Sequence, residues 1–293
     1  MLEARGLVKV VGGRRVVDGV DLAVAPGEVL GLVGPKGAGK TATAKMLLGL
    51  SRPDEGEIYL HGHPVRPGAR VLQRVGAVVD GPGFYPWMSG RRNVDVLLQG
   101  RAGRRDVDAA LEAVGLADVA AAKLKTYTHG MRRRLGLALA LCTRPDVLVL
   151  DEPAEGLDPG GVRDVRELIR RAAGSGCAVF LTSHLLEDME RACDRLAIVS
   201  GGRVVVSGTV AGLDGTDVWL SVVVATDRRR GAIDALSPLP VRPDGAGGIL
   251  VRAPSGEEVS RRLAAAGIFP EALTRRTATL EERFLGLDGS ERS

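Results

Sequence analysis

Val-rich segments of alternating apolar and polar residues open the chain on either side of a glycine pair. Leu2–Val11 and Arg15–Val24 flank Gly12-Gly13, a pattern that predicts a β-hairpin. Pro26-Gly27 marks a turn, and Glu28–Val33 is apolar enough to be a strand buried on both faces. The period then changes: Ala44, Met46, Leu47, Leu48 and Leu50 line a helix over Lys40–Leu50. Pro53-Asp54-Glu55-Gly56 ends that unit, and Glu57–Leu60 starts a further strand. Between Phe84 and Leu141 the spacing is helical, with segments at Asn93–Leu98, Asp106–Val114 and Met131–Leu141. After it, strands at Val147–Leu150, Ala178–Thr182 and Leu196–Ser200 alternate with helices at Val162–Ala173 and Glu187–Cys193. Apolar strands alternating with helices predict an α/β fold around a mostly parallel sheet, with 84–141 as a helical insertion.

A second region starts after Leu213-Asp214-Gly215-Thr216. Val218–Ala225 and Ile249–Arg252 read as strands, Glu257–Ala266 as a helix, and the Pro- and Gly-rich Pro238–Gly248 as a loop. The expected organisation is one domain over 1–213 and a small α+β accessory domain over 216–293. No internal repeat is visible.

Composition narrows the class. With 45% hydrophobic and 26% charged residues, the 293-residue chain can bury a core, so disorder throughout is excluded. Apolar runs such as Leu135–Cys142 and Trp219–Ala225 fall far short of the roughly 20 residues a spanning helix needs. The N-terminus carries no apolar secretory core, and Cys142, Cys177 and Cys193 form no CxxC pair, which suits a reducing, cytoplasmic compartment. Forty basic against 36 acidic residues leave a net charge of +4, so no nucleic-acid partner is expected.

Two segments carry chemistry. Gly34-Pro35-Lys36-Gly37-Ala38-Gly39-Lys40-Thr41, followed by Ala42, fits the phosphate-loop pattern G-x-x-x-x-G-K-[ST] between a strand and a helix. Glycines there let successive N–H groups converge on a phosphate, and the helix start adds positive potential. Lys40 would then reach the β- and γ-phosphates of a bound nucleotide, and Thr41 would ligate Mg²⁺. The second segment is Val147–Leu150 ending in Asp151-Glu152, acids at the carboxyl edge of a core strand, where open α/β sheets bind ligands. Asp151 suits the Mg²⁺ shell, and Glu152 suits orienting or deprotonating the attacking water. Lys36 is expected to point to solvent. Guanine recognition through an Asn-Lys-x-Asp motif is excluded, because Asn93 is the sole asparagine.

Further motifs in the same order resemble those of the ATP-binding subunit of an ABC transporter, in its ABC-2 exporter branch. Tyr127-Thr128-His129-Gly130-Met131 resembles a degenerate signature motif at a helix start near Gly130. Glu152–Pro159 resembles the Walker B tail running into the D-loop at Asp158, and Thr182-Ser183-His184 the switch-histidine loop. Arg74–Asp80 with Pro82–Tyr85 resembles the Q-loop region, and Thr279–Leu285 the tail of that branch. The resemblance implies a P-loop NTPase core of RecA-like type with N-terminal antiparallel strands. It also implies ATP hydrolysis by a homodimer or heterodimer whose sites are sandwiched between one phosphate loop and the Thr128–Met131 helix start of its mate. An ABC-2 permease at the inner face of the cell membrane would be the partner, exporting a drug, antibiotic or lipid-like molecule.

The sequence departs from that pattern at Val11, where an adenine-stacking aromatic is usual, at Asp80 in place of the Q-loop glutamine near Mg²⁺, and at His129 in place of a glycine. His129 either faces the γ-phosphate or points outward. His184 is expected to contact the γ-phosphate and hold Glu152. Lys40, Thr41, Asp151, Glu152, Asp158 and His184 keep the hydrolytic set complete, which favours a working ATPase over a nucleotide-binding regulatory module. A non-transport ABC ATPase usually carries coiled-coil insertions or a second cassette, and neither is present.

Overall fold

A computed structural model describes residues 1–81, 83–213, 218–244 and 248–277. The composition break at 214–216, Pro82 and the tail motif at 279–285 lie outside them. The chain divides into two compact units, Met1–Val210 and a second beginning at Ala211.

In the first unit, the long antiparallel pair β1 (Leu2–Val11) and β2 (Arg14–Val24) forms the expected hairpin. β4 (Glu55–Leu60) and β5 (His63–Pro64) extend it, giving the strand order β2-β1-β4-β5. The central sheet runs β10-β9-β3-β8-β7-β6. Its strands are β3 (Val29–Val33), β6 (Val75–Val78), β7 (Val147–Asp151), β8 (Ala178–Ser183), β9 (Arg195–Ser200) and β10 (Arg203–Thr209). All pairs are parallel except the β9–β10 edge. β3 and β7 are buried at every position, as strands covered on both faces must be. β6, only four residues with Gly76 inside it, and the edge strand β10 carry no strong pattern, and the sequence reading passes over both.

The helices follow from caps and apolar stripes. α1 (Lys40–Leu47) springs from the loop after β3. Between β6 and β7 lie α2 (Gly90–Leu98), α3 (Arg104–Ala113) and α4 (His129–Leu141). Ser89 caps α2 by accepting from the Arg92 N–H at 3.2 Å. One turn on, the fully buried Asn93 ties the preceding loop to the helix. Its amide donates to the Tyr85 and Ser89 carbonyls at 3.0 and 2.9 Å, and its oxygen accepts from the Tyr85 N–H at 2.6 Å. α5 (Pro159–Gly174) has Asp158 as its cap, Pro159 in its first turn, and Val165, Leu168, Ile169 and Ala173 on its buried face. α6 (Leu186–Ala192) leads into β9, and a single turn α7 (Val210–Leu213) follows β10.

The second unit is β11 (Val218–Val223), α8 (Arg229–Leu236), β12 (Val241–Pro243), β13 (Ile249–Arg252), α9 (Gly256–Ala265) and β14 (Ala272–Thr277). The order β12-β13-β11-β14, with every pair antiparallel, is the βαββαβ arrangement of ferredoxin-like folds. Leu220, Val222, Ala232, Leu236, Ile249, Val251, Val259 and Leu263 form its own core. The segment read as a loop over Pro238–Gly248 contains β12, a short edge strand ending in proline, where a missing N–H costs the sheet least.

Candidate functional site

The carboxyl ends of β3, β7 and β8 meet at one edge of the central sheet. β3 delivers the glycine-rich loop, whose path leaves no room for side chains at two points. A Cβ at Gly34 would stand 2.2 Å from the Val199 carbonyl oxygen, and one at Gly39, where φ is 97°, 2.1 Å from that of Val16. Lys40, buried to 5% exposure, donates to the Gly34 and Pro35 carbonyls at 2.7 and 3.0 Å. Its Nζ also lies 3.5 Å from Glu152 Oε1.

The register of β7 against β8 sets Asp151 opposite Thr182. The Thr182 hydroxyl, fully buried, donates to Asp151 Oδ1 at 2.6 Å and accepts from the Glu152 N–H at 3.1 Å. The other oxygen of Asp151 accepts from Thr41 Oγ1 at 2.8 Å. Glu152 stands in the left-handed backbone region, φ 48°, a conformation that costs a non-glycine residue on the order of 1–3 kcal/mol. Its carboxylate spans two cation-capable groups, with Oε1 toward Lys40 and Oε2 toward His184. Nδ1 of His184 lies 2.9 Å from Oε2, and the His184 N–H donates to the same oxygen at 3.3 Å.

Lys40, Thr41, Asp151, Glu152 and His184 therefore form one connected array. Gly34 and Pro35 join it through their carbonyls, whereas Val11, Thr128, His129, Asp158 and Asp80 have other surroundings. Val11 is 57% exposed at the mouth of a cavity of about 620 Å³ that Val16, Lys36, Gly37, Lys40 and Thr41 also line. Asp158 is exposed and accepts from the Gly161 N–H at 3.2 Å as the cap of α5. Thr128 is exposed and accepts from the Met131 N–H at 3.2 Å, so α4 begins at His129, a residue earlier than the sequence suggests. His129 is exposed, with its ring beside Gly156. Asp80, at φ 56°, pairs with Lys45. It lines a second cavity, about 690 Å³, with Thr41, His129, Asp151 and Glu152. Lys36 does not simply face water: though 77% exposed, its Nζ lies 3.5 Å from Glu155 Oε1.

Sequence reasoning missed Thr182, Glu155 and Arg133. The Thr182 signal is its place on the neighbouring strand, just ahead of Ser183-His184. Arg133 donates from Nη1 to the Glu152 carbonyl at 2.5 Å, with Nη2 3.3 Å from Glu155 Oε2, yet it sits in a run of three arginines that gives no hint of which one turns inward.

The site offers a divalent cation only oxygen. Among the described residues no three His, Cys, Asp or Glu side chains converge as a metal cluster. The adjacent Thr41 hydroxyl and Asp151 carboxylate suit Mg²⁺, which takes one or two protein ligands and completes its shell with phosphates and water.

Residues 17–155 match the protein-family model described as ABC transporter. The daunorubicin resistance ATP-binding protein DrrA3 of Streptomyces coeruleorubidus is 38% identical, over 98% of this chain and 95% of that protein. The uncharacterized ABC transporter ATP-binding protein YhcH of Bacillus subtilis (strain 168) is 39% identical, over 70% of this chain and 68% of that protein. The solved dimeric structure of MJ0796, a bacterial ABC transporter cassette, superposes with a TM-score of 0.65 at 20% identity. That match covers 72% of this chain and 99% of that one, a likeness of fold.

Proposed function

The chain belongs to the ATP-binding proteins of ABC transporters, and from that membership we propose that it hydrolyses MgATP to drive an ABC-2 type export permease. ATP binding and hydrolysis are the general chemistry of such domains. The observation that carries the reading for this chain is the unbroken array from Lys40 through Glu152 to His184, beside the Thr41–Asp151 pair.

The roles follow from reach and charge. The loop Gly34–Ala42 wraps the phosphates, and Lys40 exchanges its carbonyl partners for β- and γ-phosphate oxygens. Thr41 and Asp151 would hold Mg²⁺, which would supply neutralisation of the charge developing on the phosphates. Glu152 accepts a proton from water as the water oxygen bonds to the γ-phosphorus. The bond from that phosphorus to the bridging oxygen breaks, and its electron pair leaves with ADP. His184 holds Glu152 through Oε2 and stands ready for a γ-phosphate oxygen. Val11 and Val16 give the base an aliphatic wall without the usual stacked ring.

The helix start Thr128–Met131, exposed at Thr128 and His129, and Asp158 complete the site of a second copy or a close relative, so that two nucleotides bind two chains. Asp80, paired with Lys45 and lining the same cavity as Thr41 and Asp151, would be a further carboxylate for the Mg²⁺ site. The permease meets the loops around Phe84, Tyr85 and Trp87, the last 66% exposed, with the chain peripheral at the inner face of the membrane. No helix of the described residues is long and apolar enough to cross a membrane. The daunorubicin resistance named for DrrA3, and the Nod factor export named for ATP-binding protein I of Burkholderia orbicola (40% identical over 76% of this chain), support a drug, antibiotic or lipid-like cargo.

The test is size-exclusion chromatography of the Glu152→Gln chain with MgATP. A two-chain particle that forms with MgATP and is lost in a Lys40→Ala, Glu152→Gln double variant is the expected result. A monomer under all conditions, or equal MgATP retention by wild type and Lys40→Ala, overturns the reading.

A further inference from the structure

Arg133 lies one turn into α4, the helix whose exposed start the proposed dimer uses. Its side chain is 21% exposed and reaches back toward its own chain's hydrolytic edge. Nη1 donates to the Glu152 carbonyl at 2.5 Å, and Nη2 stands 3.3 Å from Glu155 Oε2. The fork thus grips both ends of the segment Glu152–Glu155. Its neighbour Arg134 does something different, donating to the Val114 carbonyl at 3.3 Å inside the helical insertion.

What Arg133 grips is a strained peptide. A non-glycine residue keeps φ near 48° only where its surroundings fix the groups on either side. The N–H of Glu152 is fixed by the buried Thr182 hydroxyl, on the central sheet. Its carbonyl accepts from the Glu155 N–H at 3.2 Å within the turn and from Arg133 Nη1, its link to the helical insertion. A charge-assisted bond of this kind is stronger than a neutral one, and the guanidinium plane sets its direction. The aim of the Glu152 carboxylate toward Lys40 and His184 therefore depends on two elements, one in the sheet and one in the insertion.

We propose that Arg133 is a positioning residue for Glu152, through which the stance of α4 sets the aim of the hydrolytic carboxylate. Arg133 touches no reacting atom. Its place on α4 gives it a second property, which rests on the dimer proposed above. The helix start that meets the mate's nucleotide and the side chain that holds the chain's own Glu152 share one rigid element. Closure of the helix start on one nucleotide thereby orients the carboxylate that acts on the other.

The experiment uses the full chain as Arg133→Gln, Arg133→Lys and Glu155→Gln, with steady-state MgATP hydrolysis, thermal unfolding, and association measured in the Glu152→Gln background. For Arg133→Gln we expect kcat to fall about 10-fold at a KM within about twofold of wild type. Arg133→Lys, which keeps a charged donor for the carbonyl, should recover most of that loss. Glu155→Gln loosens the far end of the fork at a half-exposed position and should lower kcat by a smaller factor at unchanged KM. This variant keeps the test decisive if Arg133→Gln fails to fold. If kcat stays at the wild-type value in Arg133→Gln and Glu155→Gln, the inference is overturned, and so it is if KM rises in step with the fall in kcat. Wild-type turnover and MgATP-dependent association of Glu152→Gln are controls for the reading beneath. If those hold while the Arg133 and Glu155 variants behave as wild type, only the positioning role falls.

Discussion

The Lys40–Glu152–His184 array and the group formed by Val11, Thr128 and Asp158 lie in one folded unit but are built in opposite ways. In the first, each functional side chain has a partner within the array or its own loop, drawn from β3, β7, β8 and the turns that leave them. In the second, each group is exposed, and among the described residues the Thr128 and Asp158 side chains accept only the local bond that starts their own helix. Seen in one chain, the second group is ordinary helix capping. In the proposed dimer, one copy would supply the floor of a nucleotide site and another copy the facing wall.

The largest test falls on the connected array. Glu152→Gln should reduce turnover by about 10²–10⁴-fold, the range for losing a general base, while MgATP remains bound. A residual rate within tenfold of wild type in a phosphate-release assay would remove Glu152 from that role. Thr182→Val deletes the hydroxyl that serves both Asp151 and Glu152 and leaves a buried N–H unpaired. A loss of about 1–3 kcal/mol in chemical denaturation, together with slower turnover, is the expected outcome. The facing wall is probed by a matched pair, since Thr128 and Ser89 each cap a helix through a bond of 3.2 Å. Each alanine variant should cost about 1 kcal/mol of stability, but only Thr128→Ala should weaken MgATP-dependent association; equal behaviour would reduce Thr128 to a cap. Val11→Tyr restores a ring to the exposed mouth and should tighten nucleotide binding about 5-fold in a fluorescence titration. The smallest expected signal comes from the interior. Burial pushes the thiols of Cys142, Cys177 and Cys193 up to about 12, so each stays protonated at pH 8. A native sample should be inert to a thiol reagent there and react only when unfolded or as the pH approaches that value.

How far the sequence revealed this differs by region, for a physical reason. The phosphate loop and the Asp151-Glu152 strand end were legible because their chemistry is set by neighbours in the chain: glycine spacing, a fully apolar strand, two acids at its end. The helices α4 and α5 were legible to within two or three residues, because caps at Thr128 and Asp158 precede regular apolar spacing. Contacts made across the fold left no such trace. Lys36 meets Glu155 over 119 positions, and Thr182 meets Asp151 over 31, through strand register alone. Arg132, Arg133 and Arg134 are identical letters, and only the turn of the helix decides which one faces the segment after β7. In the second unit β12 hides in a stretch of Pro and Gly, and α8 carries too few apolar positions to stand out from its arginines.

The sealed amide of Asn93 bears on how the protein ages. Asparagine converts to aspartate or its isomer when the next backbone nitrogen swings onto the side-chain carbonyl, and that movement is barred inside α2, where the amide is held by Tyr85 and Ser89. As this is the chain's sole asparagine, stored preparations should keep a single charge form on isoelectric focusing, a durability conferred by placement rather than by any gain in folding energy.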